Sequence, residues 1–249
     1  MKLRITALLL LLSLPAFGQV NTEKMRMGLS KSGLAGDINL SYSVNLGNSE
    51  LTKIGLGPNL IWRIGRNQVF MLNDLDRVYS KDGTIINKAF SHLRYNYDFT
   101  DRYIYEFFLQ AQYNRTQNLS HRYLVGTGIR IIPFRRESFM MAVGITGMYE
   151  DEELSSGETS RIARGSSYIF VKADRADLLS FINTIYVQPA LDNWEDYRIL
   201  DEAELSVWLT KNLALTTSLL YNYDSEQPEG IKHYDLELKN GLKFSFSSK

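Results

Sequence analysis

Along most of the chain, apolar and polar residues alternate one for one. In residues 36–46, Ile38, Leu40, Tyr42, Val44 and Leu46 share one face, and Asp37, Asn39, Ser41, Ser43 and Asn45 share the other. Side chains of an extended strand point alternately to opposite sides, so this pattern predicts a strand with one apolar face. The same period runs through residues 89–99, 103–113, 213–223 and 234–246. In the first of these, Leu93, Tyr95, Tyr97 and Phe99 oppose His92, Arg94, Asn96 and Asp98. Weaker alternation places strands at 53–64, 68–75, 122–132, 139–149, 166–173, 179–188 and 202–210. No segment carries a capped apolar stripe of helical period. The pattern therefore predicts an all-β chain of twelve strands, an even number.

Alternation alone also suits a soluble sandwich, or a lipocalin-like barrel with its apolar face inward. Two features favour a membrane barrel. The connections alternate in length, with short ones at 65–67, 100–102, 134–138, 174–177 and 211–212. Longer polar ones fall at 76–83, 150–161, 189–197 and 224–233, while 47–50 and 115–119 are shorter. Outer-membrane barrels have short periplasmic turns and longer outer loops. Aromatic side chains also gather at the strand ends: Trp62, Tyr97, Phe99, Tyr103, Phe244 and Phe246 at one end, Tyr221, Tyr223 and Tyr234 at the other. Amphipathic rings prefer the headgroup level, so two such rims mark a transmembrane barrel. The expected fold is an antiparallel transmembrane β-barrel of about 12 strands, with short periplasmic turns and longer outer loops.

Length and composition sharpen this. The first 18 residues, MKLRITALLLLLSLPAFG, carry Lys2 and Arg4, then an apolar run, then small residues before Gln19. That is a secretory signal peptide cleaved near Gly18-Gln19. Its apolar run falls short of the ~20 residues that a spanning helix needs. No other apolar run reaches ~18 residues, so spanning falls to strands. Residues 19–34 are a polar lead without a structural signal, and the barrel occupies 35–249. Twelve strands of ~9–11 residues leave no room for a second domain. The 28 basic and 28 acidic residues cancel, which argues against a nucleic-acid partner. The chain has no Cys, which removes disulfides, thiolate chemistry and a lipidated N-terminal cysteine.

Candidate chemistry is sparse. The three histidines are His92, expected on an inward face, and His121 and His233, expected near outer loops. A catalytic triad needs one of them beside a nucleophile. The run Glu150-Asp151-Glu152-Glu153 is expected to be a hydrated loop, because such runs usually stay solvated. Inward positions supply His92, Arg94, Glu106, Gln110, Gln112, Arg122, Arg130, Glu202, Glu204, Glu237 and Lys239 as lumen candidates. Arg122 and Arg130 are the expected ionic partners of the inward carboxylates, since charges inside a barrel pair with each other or with water. Arg94, Gln110, Gln112 and Arg130 are long enough to plug the lumen. Gly126 and Gly128 lack the rest of a phosphate-loop motif and are assigned to close strand packing. No cofactor and no metal site is expected.

Several stretches resemble the salt-induced outer-membrane protein family, a domain of unknown function in Gram-negative bacteria. They are GDINLSYSVNLGNSE at 36–50, FFLQAQYNRTQNLSHRYLVGTGIR at 107–130, VQPA at 187–190, Asp196-Tyr197-Arg198, Tyr221–Asp224, Asp235 and the strand at 241–246. The resemblance implies an outer-membrane barrel and a link to salt or osmotic response, with no reaction or catalytic residue to transfer. Leu242, Phe244 and Phe246 look like the C-terminal signal that such barrels present to their assembly machinery, although three residues follow Phe246. The leading expectation is a monomeric, non-enzymatic envelope component or narrow pore in contact with outer-membrane lipid. The alternatives are an enzyme acting at the outer rim and a soluble exported barrel holding a small apolar ligand.

Overall fold

The computed structural model describes residues 32–45, 51–80, 85–115, 118–226 and 233–247. The leader, most of the polar lead and the turn at 47–50 lie outside the described residues. Twelve strands are present. They are β1 (Gly33–Asn45), β2 (Leu51–Ile64), β3 (Asn67–Ser80), β4 (Ile85–Asp98), β5 (Tyr103–Asn114) and β6 (Leu119–Arg136). Then follow β7 (Phe139–Leu154), β8 (Thr159–Arg175), β9 (Leu179–Pro189), β10 (Tyr197–Trp208), β11 (Leu213–Asp224) and β12 (Tyr234–Ser247). Each pairs antiparallel with its sequence neighbours, and β12 pairs with β1 to close the barrel. All twelve strands expected from the alternation are found, including the weak stretches at 68–75 and 166–173.

Several strands run further than expected. β7 continues through residues 150–154 and β8 begins at Thr159, so the connection shrinks to 155–158. The acidic run is therefore strand and not a hydrated loop. Alternation persists through it: Glu150 is buried with Met148, while Tyr149 on the other face is exposed. Arginines on neighbouring strands supply the missing counter-charge, as described below. The connections expected at 76–83 and 134–138 shrink in the same way, to 81–84 and 137–138.

Gly33 and Ser247 lie at one end of the barrel, the terminal rim, with the connections 65–66, 99–102, 137–138, 176–178 and 209–212. One of the two two-residue connections turns at Gly65, whose φ of 56° is left-handed and suits a residue without a side chain. The connections 155–158 and 190–196 lie at the opposite, distal rim.

The outside is an apolar belt. Leu40, Leu60, Met71, Leu93, Leu109, Ile129, Ile145, Ile169, Ile185, Leu205, Leu215 and Leu238 are all exposed, Ile145 at 65%. Trp62, Phe99, Tyr103, Phe134 and Phe244 stud the terminal end of the belt, and Tyr113, Tyr123, Tyr149 and Tyr234 the distal end. A soluble barrel turns this face inward, so the belt argues against the soluble alternative and matches a lipid-facing surface.

Strand pairing is long everywhere but at the closure. β1 and β2 share 13 residue pairs, and β11 and β12 share 11. β1 and β12 share six, from Ala35↔Ser247 to Leu40↔Leu242.

Candidate functional site

The candidate site is the lumen, and its two walls differ. Strands β4–β9 form a filled wall. His92 is 1% exposed and lies between Phe90 and Phe108, with ring centroids 6.2 and 5.3 Å away. The Arg94 guanidinium packs 5.6 and 5.3 Å from the ring centres of Phe70 and Phe108. Its Nε donates to His92 Nε2 at 3.1 Å. Arginine can only donate, so Nε2 is the acceptor and Nδ1 carries the proton. Nδ1 then donates to Gln110 Oε1 at 3.1 Å, and Gln110 donates onward to Gln112. With its lone pair engaged, His92 is not set up as a general base.

Deeper in the same wall, Glu106 is fully buried. It accepts from Arg94 at 3.4 Å and from the Tyr168 hydroxyl at 3.1 Å. Arg130 donates to Tyr168 Oη at 3.3 Å and packs against the Tyr168 and Phe170 rings. Glycines make room for these rings. A Cβ at Gly126 would collide with Phe108, and one at Gly144 with Tyr168. Gly128 answers to backbone, because a Cβ there would strike the Ile145 carbonyl. Of the four long side chains expected to fill the lumen, Arg94, Gln110 and Arg130 are buried in this wall and Gln112 is not, and aromatic rings take up much of the remaining space.

Strands β10–β12 and β1–β3 form an open wall. Asn39, Ser41, Gly55, Gly57, Thr216 and Ser218 line a cavity of about 150 Å³ there. Asp37 accepts from Asn39 at 2.7 Å and from Asn59 at 2.8 Å. Glu204 accepts from Lys243 at 2.5 Å, Ser206 at 3.2 Å and Ser218 at 3.3 Å. Lys239 bridges Asp74 and Asp76, and Lys88 pairs with Asp76 at 2.5 Å. Glu202 lines the same cavity, and the Glu237 side chain lies outside the described residues. The expected partnership of Glu204 with Arg122 or Arg130 is corrected: Lys243 takes Glu204. β12 lies closer to β10 around the barrel than β6 does, and long side chains pair with what is near.

At the distal end an ionic cluster crosses the lumen. Glu150 is 1% exposed and faces three guanidiniums: Arg198 at 2.5 Å, Arg164 at 3.5 Å and Arg122 at 3.6 Å. Glu152 pairs with Arg122 at 2.5 Å and Arg198 at 3.5 Å. Arg164 grips Asp196 with two hydrogen bonds of 2.8 and 2.9 Å, and Arg198 holds Asp224 at 2.7 Å. This bidentate grip ties the connection 190–196 to β8. Of this cluster the sequence reading found only Arg122. Continuing the alternation past Tyr149 would have exposed Glu150 and Glu152. At the terminal end, a vestibule of about 310 Å³ lies between the pairs Arg63–Asp98 and Lys172–Asp174.

The histidines are not brought together. His121 is on the outward face, 3.8 Å from Glu153, and His233 is exposed at the distal rim, bonded to the Asp224 carbonyl. Among the described residues no group of three or more His, Asp or Glu side chains is disposed to hold a metal.

Residues 38–246 match the model of a family described as "Protein of unknown function, DUF481". The chain belongs to that family. The matched residues span both walls, the distal cluster and the closing seam. No curated protein matches the chain. Among solved structures it is similar to an outer membrane channel from Pseudomonas putida F1, with 11% identity, 92% of this chain and 100% of that one covered, and a TM-score of 0.57. It is also similar to the NanC porin, at 12% identity, covering 87% and 99%, with a TM-score of 0.49. The KdgM porin gives 10%, 85% and 99%, and 0.49. The likeness to the Pseudomonas putida channel, at 11% identity, shows a shared barrel fold.

Proposed function

We propose that this family member is a monomeric, non-enzymatic outer-membrane barrel that conducts small hydrophilic solutes through a narrow passage along its open wall. The observation that carries the reading is the division of the lumen. Eight-stranded barrels are filled by side chains and those of ~16–18 strands hold a wide channel. Here twelve strands hold both conditions at once, a packed wall and, beside it, a cavity lined by small residues and ion-paired charges. The outward belt supports contact with lipid. On this reading the terminal rim faces the periplasm, the leader is removed near Gly18-Gln19, and Leu242, Phe244 and Phe246 are offered to the assembly machinery. The separated histidines give the enzyme reading no support.

The test is single-channel recording of the folded protein in planar bilayers. Small, uniform conductance steps are expected, and Ser218→Trp, which places a large ring in the open wall, is expected to shrink them. Folded protein that gives no steps overturns the reading.

A further inference from the structure

The vestibule at the terminal end meets the packed core at its inner end. Ile104 and Ile132, which belong to the apolar core of the filled wall, line it there, with Met140 packed against that core. Thr100, Asp101 and Glu137, from the connections 99–102 and 137–138, line its mouth. A pocket of about 310 Å³ built this way is suited to holding a solute rather than passing one.

Its charges are unequal. Arg63 pairs with Asp98, and Lys172 with Asp174 at 2.7 Å, so these four cancel. The lining retains three guanidiniums, those of Arg130, Arg135 and Arg136, against two carboxylates, Asp101 and Glu137. The carboxylates are exposed at the mouth. Arg130 is 1% exposed and lies between the Tyr168 and Phe170 rings, at the inner end. The register sets Arg135 opposite Met140, and Met140 opposite Lys172. Residues paired across antiparallel strands share a face, so Arg135 is turned inward with Met140. The surplus is one positive charge, and it is strongest away from bulk water, where its attraction for an anion is least screened.

A second, independent observation points to an anion. Gln68 lines the same vestibule and is 5% exposed. Its Oε1 accepts from Asn96 at 3.4 Å, while its Nε2 has no acceptor among the described residues. A buried donor left unsatisfied is costly, and a ligand oxygen is one way to satisfy it. An ionised carboxylate only accepts hydrogen bonds, so it matches a lining of guanidinium and amide donors.

We propose that the vestibule binds a small organic monoanion, a carboxylate carried on a short apolar body. The carboxylate would face the guanidiniums, whose forked donors suit it, and the Gln68 amide. The body would lie against Ile104, Ile132 and Met140. The site is separate from the passage along the open wall, because the two cavities share no lining residue.

The experiment uses the full protein refolded in non-ionic detergent micelles and follows para-fluorobenzoate by fluorine NMR. Saturable broadening is expected, reversed by unlabelled benzoate. The amide para-fluorobenzamide, of the same shape without the charge, is expected to show none. Arg135→Gln combined with Arg136→Gln, at exposed positions, is expected to weaken binding about tenfold, as charge-assisted hydrogen bonds are lost. Gln68→Met keeps the volume, removes the donor and is expected to weaken binding severalfold. Ser218→Trp, in the open wall, is expected to leave binding unchanged. No saturable binding, equal binding of the amide, or full binding in either vestibule variant overturns the proposal. Binding lost in Ser218→Trp puts the anion in the open wall and overturns it as well. Conductance is a separate readout, and its absence removes the passage and leaves this site standing.

Discussion

The filled and open walls belong to one sheet, yet they carry inward side chains of opposite size. On β4, β5 and β8 the inward positions hold Phe90, His92, Arg94, Phe108, Tyr168 and Phe170, all buried. On β1, β2 and β11 the positions around the cavity hold Asn39, Ser41, Gly55, Gly57, Thr216 and Ser218, whereas nearer the terminal rim β1–β3 bury Ala35, Ile61 and Phe70. Strand number sets how much space a barrel encloses, and side-chain volume sets how much of it is left. The comparison teaches that an intermediate barrel need not be uniformly narrow. It can be a packed core on one side and leave a cavity on the other. On the packed side, polar groups are retained only where they are mutually satisfied, as His92, Arg94, Glu106 and Tyr168 are.

The contrast can be tested through stability, because packed and paired groups are sensitive to change and cavity-lining groups are not. The largest effect is expected at the distal end of the filled side. Glu150→Ala leaves Arg122, Arg164 and Arg198 facing each other without their shared carboxylate. Removing one side of a buried ion pair costs about 3–5 kcal/mol, so urea unfolding in lipid should show a loss of that order. A loss under about 1 kcal/mol would mean that the cluster is hydrated and the connection 190–196 is not pinned. Next comes Gly144→Ala, whose new Cβ collides with the Tyr168 ring. Overpacking of this kind costs about 1–3 kcal/mol. The same titration on Thr216→Ser, in the open wall, should stay within about 0.5 kcal/mol. Equal effects at the two positions would erase the distinction between the walls. The smallest effect is expected outside the lumen. Asp151 and Arg161 pair at 3.4 Å on the exposed surface, so Asp151→Ala should cost no more than about 1 kcal/mol, and that should fade with added salt.

The strands were legible because one face forms the apolar outer belt and the other lines the lumen, so each residue in 36–46 or 103–113 states its side by its polarity. The limits of the strands were less legible. Glu150-Asp151-Glu152-Glu153 is hydrophilic whichever face it occupies, and only the arginines of other strands make two of its members interior. Pairing across the lumen was not legible at all. It depends on the stagger of the closed sheet, which put Lys243 rather than Arg122 beside Glu204. The inequality of the walls, by contrast, was open to inspection. Listing inward residues strand by strand separates Phe90, His92 and Arg94 from Asn39 and Ser41.

The grip of Arg164 on Asp196 has a consequence at the surface. The same connection carries Trp194, 74% exposed, on a mount fixed from beneath by two charge-assisted hydrogen bonds. A binding protein raised against that rim would meet this indole on a backbone held in one conformation, and its recognition would be of shape rather than of sequence. Boiling the protein, or cutting Asp196 back to Ala, should abolish such recognition while leaving every residue of the epitope in place.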